Sequence, residues 1–252
     1  MNTRFTRDRG WLSAVAATLV LTIGLVPVSL PAAADGPRPA AAPADRAAAP
    51  GAVRATARNE LRDAMLATPD PRRGEELYAP CGACHGAAGL GVADGSVPAI
   101  AGQHFTVVAK QLVDFRHGRR WDIQMEHASR MAHLAGGQDI ADVAAFVATL
   151  PRGFGSGHGD GSSLGTGAAT YFERCERCHG PLGEGDGERG IPRLAGQHYA
   201  YLYRQFFDAV EQRRPNMGAL HLGLMKPLER AQIVGISDYL SRTGLELTRE
   251  RP

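Results

Sequence analysis

Two short motifs carry the residues of this 252-residue chain whose types and spacing suit metal and thiol chemistry. Both read C-x-x-C-H: Cys81-Gly82-Ala83-Cys84-His85 and Cys175-Glu176-Arg177-Cys178-His179. This spacing lets two thiols form thioether bonds to one porphyrin, while the imidazole that follows can bind its iron from one face. The motifs therefore predict two covalently attached haem c groups, with His85 and His179 as the proximal iron ligands.

Two other uses of a C-x-x-C pair compete with this interpretation. Zinc takes four ligands, and joining both motifs into one four-thiolate site would leave the two adjacent histidines unexplained. A thioredoxin-like redox pair occurs in a βαβ context, which is absent from this sequence. All four cysteines of the chain lie in the two motifs, so none remains for a structural disulfide. These points favour haem attachment.

The motifs belong to an internal duplication with a constant offset of 94 residues. Besides the motifs, the same offset relates these pairs: Pro98 and Pro192, Ala101-Gly102-Gln103-His104 and Ala195-Gly196-Gln197-His198, Gln111 and Gln205, Asp114 and Asp208, Arg119-Arg120 and Arg213-Arg214. In each copy, apolar residues recur at helical spacing before the motif, in a middle segment and in a last segment. No segment alternates as a strand would, so we predict two all-α domains in tandem.

The first 34 residues are typical of an export signal. Three arginines precede an apolar run from Trp11 to Leu30, and Ala32-Ala33-Ala34 offers a cleavage site after Ala34. Because the run is long enough to cross a bilayer, a retained membrane anchor is the alternative. In both cases, the rest of the chain is delivered outside the cytoplasm.

Composition divides the residues after the export signal into a leader, two domains and the linker between them. Residues 35–73 are rich in alanine and proline, so we predict a flexible, disordered leader with room for one short helix around Asn59–Ala67. The Gly/Ser-rich residues 152–164 are predicted to link domain 1, residues 74–151, to domain 2, residues 165–252. The net charge of +2 over the whole chain gives no reason to expect a nucleic acid partner.

The two blocks resemble the cytochrome c4 family of dihaem periplasmic electron carriers. The resemblance is carried by both C-x-x-C-H-G motifs and by four further segments: Val97–Gln103, Ile191–Gln197, Gln111–Arg116 and Asp139–Phe146. It implies two class I cytochrome c folds whose first and last helices cross. Tyr78 with Phe146, and Phe172 with Tyr239, would lie near those crossings. It also implies that the carbonyls of Pro98 and Pro192 accept a hydrogen bond from the proximal imidazoles.

The resemblance also implies a distal methionine after the middle helix. Counting forward from that helix favours Met125 and Met217, whereas counting back from the last helix, past Leu134 and Leu228, reaches His127 and His221. The same stretches also contain Met131, His133 and Met225. The choice matters because a thioether ligand raises the reduction potential and a second imidazole lowers it.

The function implied by the resemblance is periplasmic electron transfer in a respiratory chain. A membrane cytochrome bc1 complex would be the donor and a haem-copper terminal oxidase the acceptor. Two six-coordinate irons leave no site for a substrate, so we expect a carrier and not an enzyme. The alternatives are a cytochrome subunit of a periplasmic dehydrogenase and a dihaem enzyme with one open haem. The repeated arginine pairs would meet haem propionates or form a solvated face, and His104 and His198 would lie at the surface or in packing.

Overall fold

The computed structural model describes residues 50–130, 132–153, 157–211 and 213–244, which belong to one compact unit. The predicted export signal, residues 35–49, Met131 and residues 245–252 lie outside this description. The helices of domain 1 are α1 (Pro50–Leu66), α2 (Pro71–His85), α3 (Phe105–Arg116), α4 (Ile123–Ala128) and α5 (Gly137–Thr149). Those of domain 2 are α6 (Leu164–Arg174), α7 (Glu176–His179), α8 (Tyr199–Val210), α9 (Ala219–Met225) and α10 (Arg230–Arg242).

Each domain is built on a crossing between the helix that leads into its C-x-x-C-H motif and its last helix. The pairs are α2 with α5 and α6 with α10, and a glycine lies at each crossing. A Cβ at Gly74 would lie 2.0 Å from the carbonyl oxygen of Asp142, and one at Gly167 would lie 2.0 Å from the Gly235 carbonyl. Only a residue without a side chain lets the backbones approach this closely. The crossing that the resemblance implies is therefore present in both domains.

The apolar faces predicted from the sequence form two cores. In domain 1, Leu112 and Val113 of α3 pack with Ile140, Val143 and other residues of α5. In domain 2, Leu202 of α8 packs with residues of α6 and α10. The described residues contain no strand beyond the isolated bridge between Asp186 and Ile191, which confirms the all-α prediction. No described helix is long and apolar enough to cross a membrane.

The leader predicted for residues 35–73 is wrong in its second half, because helix α1 folds onto domain 1. Ala57 and Ala64 are fully buried in the domain 1 core, and a Cβ at Gly137 would lie 2.9 Å from the Ala64 nitrogen. Glu60 pairs with Arg116 and lies 2.6 Å from His117 Nε2. Leu61 and Met65 pack against the same core, so the contact face of α1 mixes small and large apolar residues at helical spacing, a pattern that overall composition does not detect.

Helix α2 also begins earlier than predicted. Asp70 accepts hydrogen bonds from the backbone N–H groups of Arg72 and Arg73, and Pro71 occupies the first helical position. Both features are typical of a helix N-terminus. Domain 1 therefore includes α1 and the whole of α2, and its predicted start at residue 74 is corrected.

Domain 2 has one more residue than domain 1 between a buried tyrosine and the C-x-x-C-H motif. Tyr78 donates to the Gly86 carbonyl at 2.8 Å, and Tyr171 donates to the Gly180 carbonyl, so these tyrosines are equivalent although their offset is 93. The expected contact of Phe172 with Tyr239 exists, with ring centroids 6.0 Å apart. Phe172 is nevertheless 48% exposed, whereas Tyr171 is fully buried. The extra residue is accommodated where α6 ends and α7 begins.

Of the predicted linker 152–164, residues 157–163 are bound to domain 2, and residue 164 already belongs to α6. The buried carboxylate of Asp238 accepts the N–H groups of Gly159 at 2.9 Å and Gly161 at 2.8 Å, and Arg242 Nε donates to it at 2.7 Å. Burial alone would raise the pKa of Asp238, but Arg242 and the two amides hold this pKa below its usual value. Asp238 thus fastens the linker to the last helix.

We predict that Gly167→Ala lowers the free energy of unfolding by about 1–3 kcal/mol, because the new methyl group must push α6 away from α10. Gly165→Ala, on the same helix with nothing within 4 Å of its Cβ, is the matched control. The control should be neutral or slightly stabilising, since alanine favours a helix more than glycine does. Guanidinium unfolding of the holoprotein followed by circular dichroism measures both changes, and equal midpoints for the two variants would contradict this packing.

We also predict a pH-dependent effect for Asp238→Asn. A carboxyl group whose pKa is depressed in the folded state stabilises the fold above its unfolded pKa of about 3.9, and this stabilisation disappears as the pH falls through the folded pKa. The variant should therefore be less stable than the parent by about 1.5–3 kcal/mol at pH 7, and the difference should shrink in acid. Unfolding free energies at both pH values test this, with the exposed Glu188→Gln as control. A difference that grew in acid would refute the assignment.

Candidate haem sites

The two proximal histidines occupy equivalent, buried positions at helix C-termini. His85 ends α2 and is 6% exposed, and His179 ends α7 and is 7% exposed. His85 Nδ1 donates to the Pro98 carbonyl at 3.0 Å, and His179 Nδ1 donates to the Pro192 carbonyl at 2.9 Å. A hydrogen bond at Nδ1 fixes the ring and leaves the Nε2 lone pair for a metal. Burial lowers the pKa of both histidines, which favours the neutral, ligating form.

The loop that carries each proline carbonyl is packed against a glycine after the motif. Gly91 N–H donates to the His85 carbonyl at 2.9 Å, and Gly185 N–H donates to the His179 carbonyl at 2.8 Å. Both glycines have positive φ, 66° and 71°. A Cβ at Gly91 would lie 2.4 Å from the Val97 carbonyl oxygen. Glycine at this position thus lets the proline loop close over the imidazole.

None of the four cysteines, all of which lie among the described residues, forms a disulfide. Cys81 and Cys175 are half-buried, and Cys84 and Cys178 are exposed. Burial raises the pKa of Cys81 and raises that of Cys175 to about 11. In each domain, two thiols within one helical turn stand beside a histidine with a free Nε2, which is the donor set that covalent haem attachment needs.

In domain 1 the distal stretch is firmly anchored. Asp122 caps α4 and accepts the N–H of Met125 at 3.0 Å. Arg116 donates from Nε to the Ser129 carbonyl and from Nη2 to the Leu134 carbonyl, both at 2.6 Å. Met125 is half-buried and packs against the same core cluster as Cys81. His127 is exposed, and its ring contacts His133 at a centroid distance of 5.4 Å.

In domain 2 the distal stretch brings a histidine to the proximal ring. The ring centroids of His221 and His179 are 6.1 Å apart, with an interplanar angle of 34°. His221 is half-buried on α9, and burial, followed by the charges of His179 and Arg214, lowers its pKa. Met217 lies in the turn before α9, where its N–H donates to the Arg214 carbonyl at 3.1 Å. Met225 is buried one turn beyond His221.

Reciprocal glutamine contacts join the two domains. Gln197 Nε2 donates to the Ala99 carbonyl at 2.8 Å, and the Ala99 N–H donates to Gln197 Oε1 at 3.0 Å. In the same way, Gln103 Nε2 donates to the Arg193 carbonyl at 3.0 Å, and the Arg193 N–H donates to Gln103 Oε1 at 3.0 Å. Each glutamine therefore holds the residue that follows the imidazole-binding proline of the other domain.

The histidines after these glutamines extend the same symmetric interface. His104 Nε2 donates to the Glu184 carbonyl at 2.8 Å, and His198 Nε2 donates to the Leu90 carbonyl at 2.9 Å. The two acceptor residues are again 94 apart in the chain. His104 and His198 thus serve in packing between domains, one of the two roles expected of them. The repeated Ala-Gly-Gln-His block is the signal in the sequence that marks this interface.

The repeated arginine pairs divide between surface and interface. Arg119 and Arg213 pair with aspartates and are partly exposed. Arg120 Nη2 donates across the interface to Tyr201 Oη at 2.5 Å. Arg214 is half-buried, its Nε is buried without a hydrogen-bond partner among the described atoms, and desolvation lowers its pKa to about 10. A cation with a buried, unsatisfied N–H beside a second cation suits an anionic group such as a haem propionate, so the residues present fit the haem that the motifs imply.

A family model described as "Cytochrome c" matches residues 71–151 and, a second time, residues 165–243. Together with the two helix crossings and the paired C-x-x-C-H sites, these matches define a c-type cytochrome with two tandem haem domains. Cytochrome c4 of Pseudomonas aeruginosa is 32% identical over 182 residues, covering 69% of this chain and 89% of the relative. The chain belongs to the cytochrome c4 family, and it carries two covalently bound haem c groups.

Two further similarities concern structure and partners. The crystal structure of cytochrome c4 from Pseudomonas stutzeri matches with a TM-score of 0.62 and 29% identity, covering 70% of this chain and all of that one. A protein of Thiomonas intermedia named "Thiosulfate dehydrogenase electron acceptor" is 29% identical over 182 residues, covering 68% of this chain and 82% of the relative.

We predict that Gln103→Ala combined with Gln197→Ala loosens the contact between the domains. Each change leaves a backbone N–H and a carbonyl without their partner, at a cost of about 1–3 kcal/mol for each group that stays buried. The measurements are guanidinium unfolding and small-angle scattering, which should show lower stability and a larger distance between domains. Gln124→Ala, an exposed glutamine on α4, is the control. Profiles identical to the control would contradict the role of the two glutamines.

Proposed function

We propose that this chain is a periplasmic dihaem electron carrier in which each domain attaches one haem through its own C-x-x-C-H motif. In domain 1, Cys81 and Cys84 form the thioether bonds and His85 binds the iron. In domain 2, Cys175, Cys178 and His179 take these roles. The observation that carries this proposal is the repeated site, in which an imidazole held at Nδ1 by a proline carbonyl follows two cysteines that form no disulfide.

When bound, each haem supplies a reversible one-electron couple. The residues of this chain hold and orient the two groups. The carbonyls of Pro98 and Pro192 fix the proximal rings, and hydrogen bonding to the imidazole tunes its basicity. Gln103 and Gln197 hold the adjoining loops of the opposite domains, which keeps the two sites at a constant separation. A fixed separation suits electron exchange inside one molecule.

Covalent attachment can be tested one domain at a time. Replacing Cys81 and Cys84 by serine should yield a protein whose mass carries one haem instead of two, with the haem in domain 2 still reversibly reducible. The matched control replaces Cys175 and Cys178 by serine and should leave only the haem of domain 1. Expression in a host that matures c-type cytochromes, followed by mass spectrometry and acid–acetone extraction, measures both. Two covalent haems in either variant would contradict the assignment.

The partners follow from the relatives, and two candidates compete. Similarity to cytochrome c4 supports a shuttle between a membrane cytochrome bc1 complex and a haem-copper terminal oxidase. Similarity to a thiosulfate dehydrogenase electron acceptor supports service to a periplasmic dehydrogenase, as a separate acceptor or as its cytochrome subunit.

Stopped-flow absorption distinguishes the candidates. The oxidised holoprotein is mixed with a thiosulfate dehydrogenase and thiosulfate, or with a reduced bc1 complex, and haem reduction is followed. Thiosulfate with this chain alone is the control. Rapid reduction only when the dehydrogenase is present supports the acceptor role, and rapid reduction by the bc1 complex alone supports the respiratory shuttle. Haem reduction by thiosulfate without any dehydrogenase would contradict the hypothesis of an electron carrier and indicate an enzyme.

A further inference from the structure

We propose that the two haem irons have different distal ligands, Met125 in domain 1 and His221 in domain 2. This inference rests on the proposed attachment of one haem to each motif. It assigns the distal role in domain 2 to a histidine, in place of the expected Met217, and keeps the expected methionine in domain 1. The protein would thus contain one His/Met site and one bis-histidine site.

The distance between the rings of His221 and His179 carries the assignment in domain 2. Metal bonds to imidazole nitrogen are about 2 Å long. With each ring centre about 1 Å beyond its nitrogen, two imidazoles on opposite sides of one metal have centres about 6 Å apart. The observed separation is 6.1 Å. Since His179 uses Nδ1 for the Pro192 carbonyl, its Nε2 is the nitrogen left for a metal.

The short distal helices give an independent argument from position. Met125 is the third residue of α4, and His221 is the third residue of α9. Both helices follow the end of the preceding long helix, but α9 starts two residues later than the constant offset of 94 would place it. The shift moves Ala219 out of the third position and moves His221 into it. The same structural position therefore holds methionine in domain 1 and histidine in domain 2.

The cause of the shift lies in how each distal stretch is anchored. In domain 1, Arg116 binds the carbonyls of Ser129 and Leu134 and pairs with Glu60 of α1. The matching residue in domain 2 is Val210, which has no side-chain donor. Domain 2 therefore lacks this anchor, and its distal helix takes a different register.

The competing residues are placed less favourably. His127, the repeat partner of His221, is exposed and contacts His133, while Met125 packs against the core cluster that Cys81 also contacts. Met217 lies in the turn before α9 and is not on the helix that carries His221. The different ligands imply different potentials, because an imidazole lowers the reduction potential relative to a thioether. Domain 2 would then hold the electron less firmly than domain 1.

Spectroscopy of the ferric holoprotein tests the assignment without any partner or turnover. The unmodified protein should show one methionine–iron charge-transfer band for every two haems and one bis-imidazole low-spin signal in electron paramagnetic resonance. Met125→Ala should remove the charge-transfer band. His221→Ala should turn one of the two haems high-spin, whereas the controls His127→Ala and Met217→Ala should leave both haems unchanged.

A conservative variant guards against loss of folding. His221→Met should keep both haems low-spin, double the charge-transfer band and raise the lower of the two potentials in a redox titration. Loss of half or more of the band in Met217→Ala or Met225→Ala would overturn the inference, as would unchanged spectra in His221→Ala. Both of these results presuppose two bound haems. A haem count below two in the unmodified protein would instead refute the proposed function.

Discussion

The hydrogen bond from each proximal imidazole to a proline carbonyl is the constraint on which the rest of the structure depends. An imidazole can ligate an iron only if its ring is held at one orientation and one tautomer. The carbonyls of Pro98 and Pro192 fix the two rings in this way. The loops that carry these prolines are not fixed by their own domains alone. The residue after each proline has both of its backbone groups bonded to a glutamine of the other domain.

This arrangement makes the interface part of both sites. If the domains separated, Ala99 and Arg193 would exchange protein partners for water, and the adjacent proline loops would gain freedom. The net contribution of one hydrogen bond to the free energy of folding is only about 1 kcal/mol. Here, however, four such bonds act on two loops that already close tightly over glycine. Domain association and imidazole orientation are therefore linked, so the family's tandem architecture has a physical reason beyond keeping two haems in one chain.

Much of the fold and of the haem sites could be predicted from the sequence, because the motifs, the duplication and the helical periodicity are local patterns. The helix crossings and the proline carbonyls followed from the resemblance. A short helix was expected around Asn59–Ala67, but the full length of α1 and its packing on domain 1 were missed, because the alanine- and proline-rich composition of residues 35–73 hides the few residues that make the contact, such as Ala57 and Leu61. The equivalence of Tyr171 with Tyr78 was missed because a constant offset hides a single inserted residue at the break between α6 and α7.

The distal ligands show most clearly where the repeat fails as a guide. The duplication pairs His127 with His221 and so implies equal irons, whereas a count from the middle helix pairs Met125 with Met217. Neither rule includes the side chain at the end of the middle helix, which is Arg116 in one domain and Val210 in the other. That one difference decides whether the distal stretch is tied to α1 and to its own carbonyls. On the ligand assignment proposed above, the side chain presented to each iron depends on a contact outside the site, and two copies of one domain acquire different redox properties while their proximal sides stay the same.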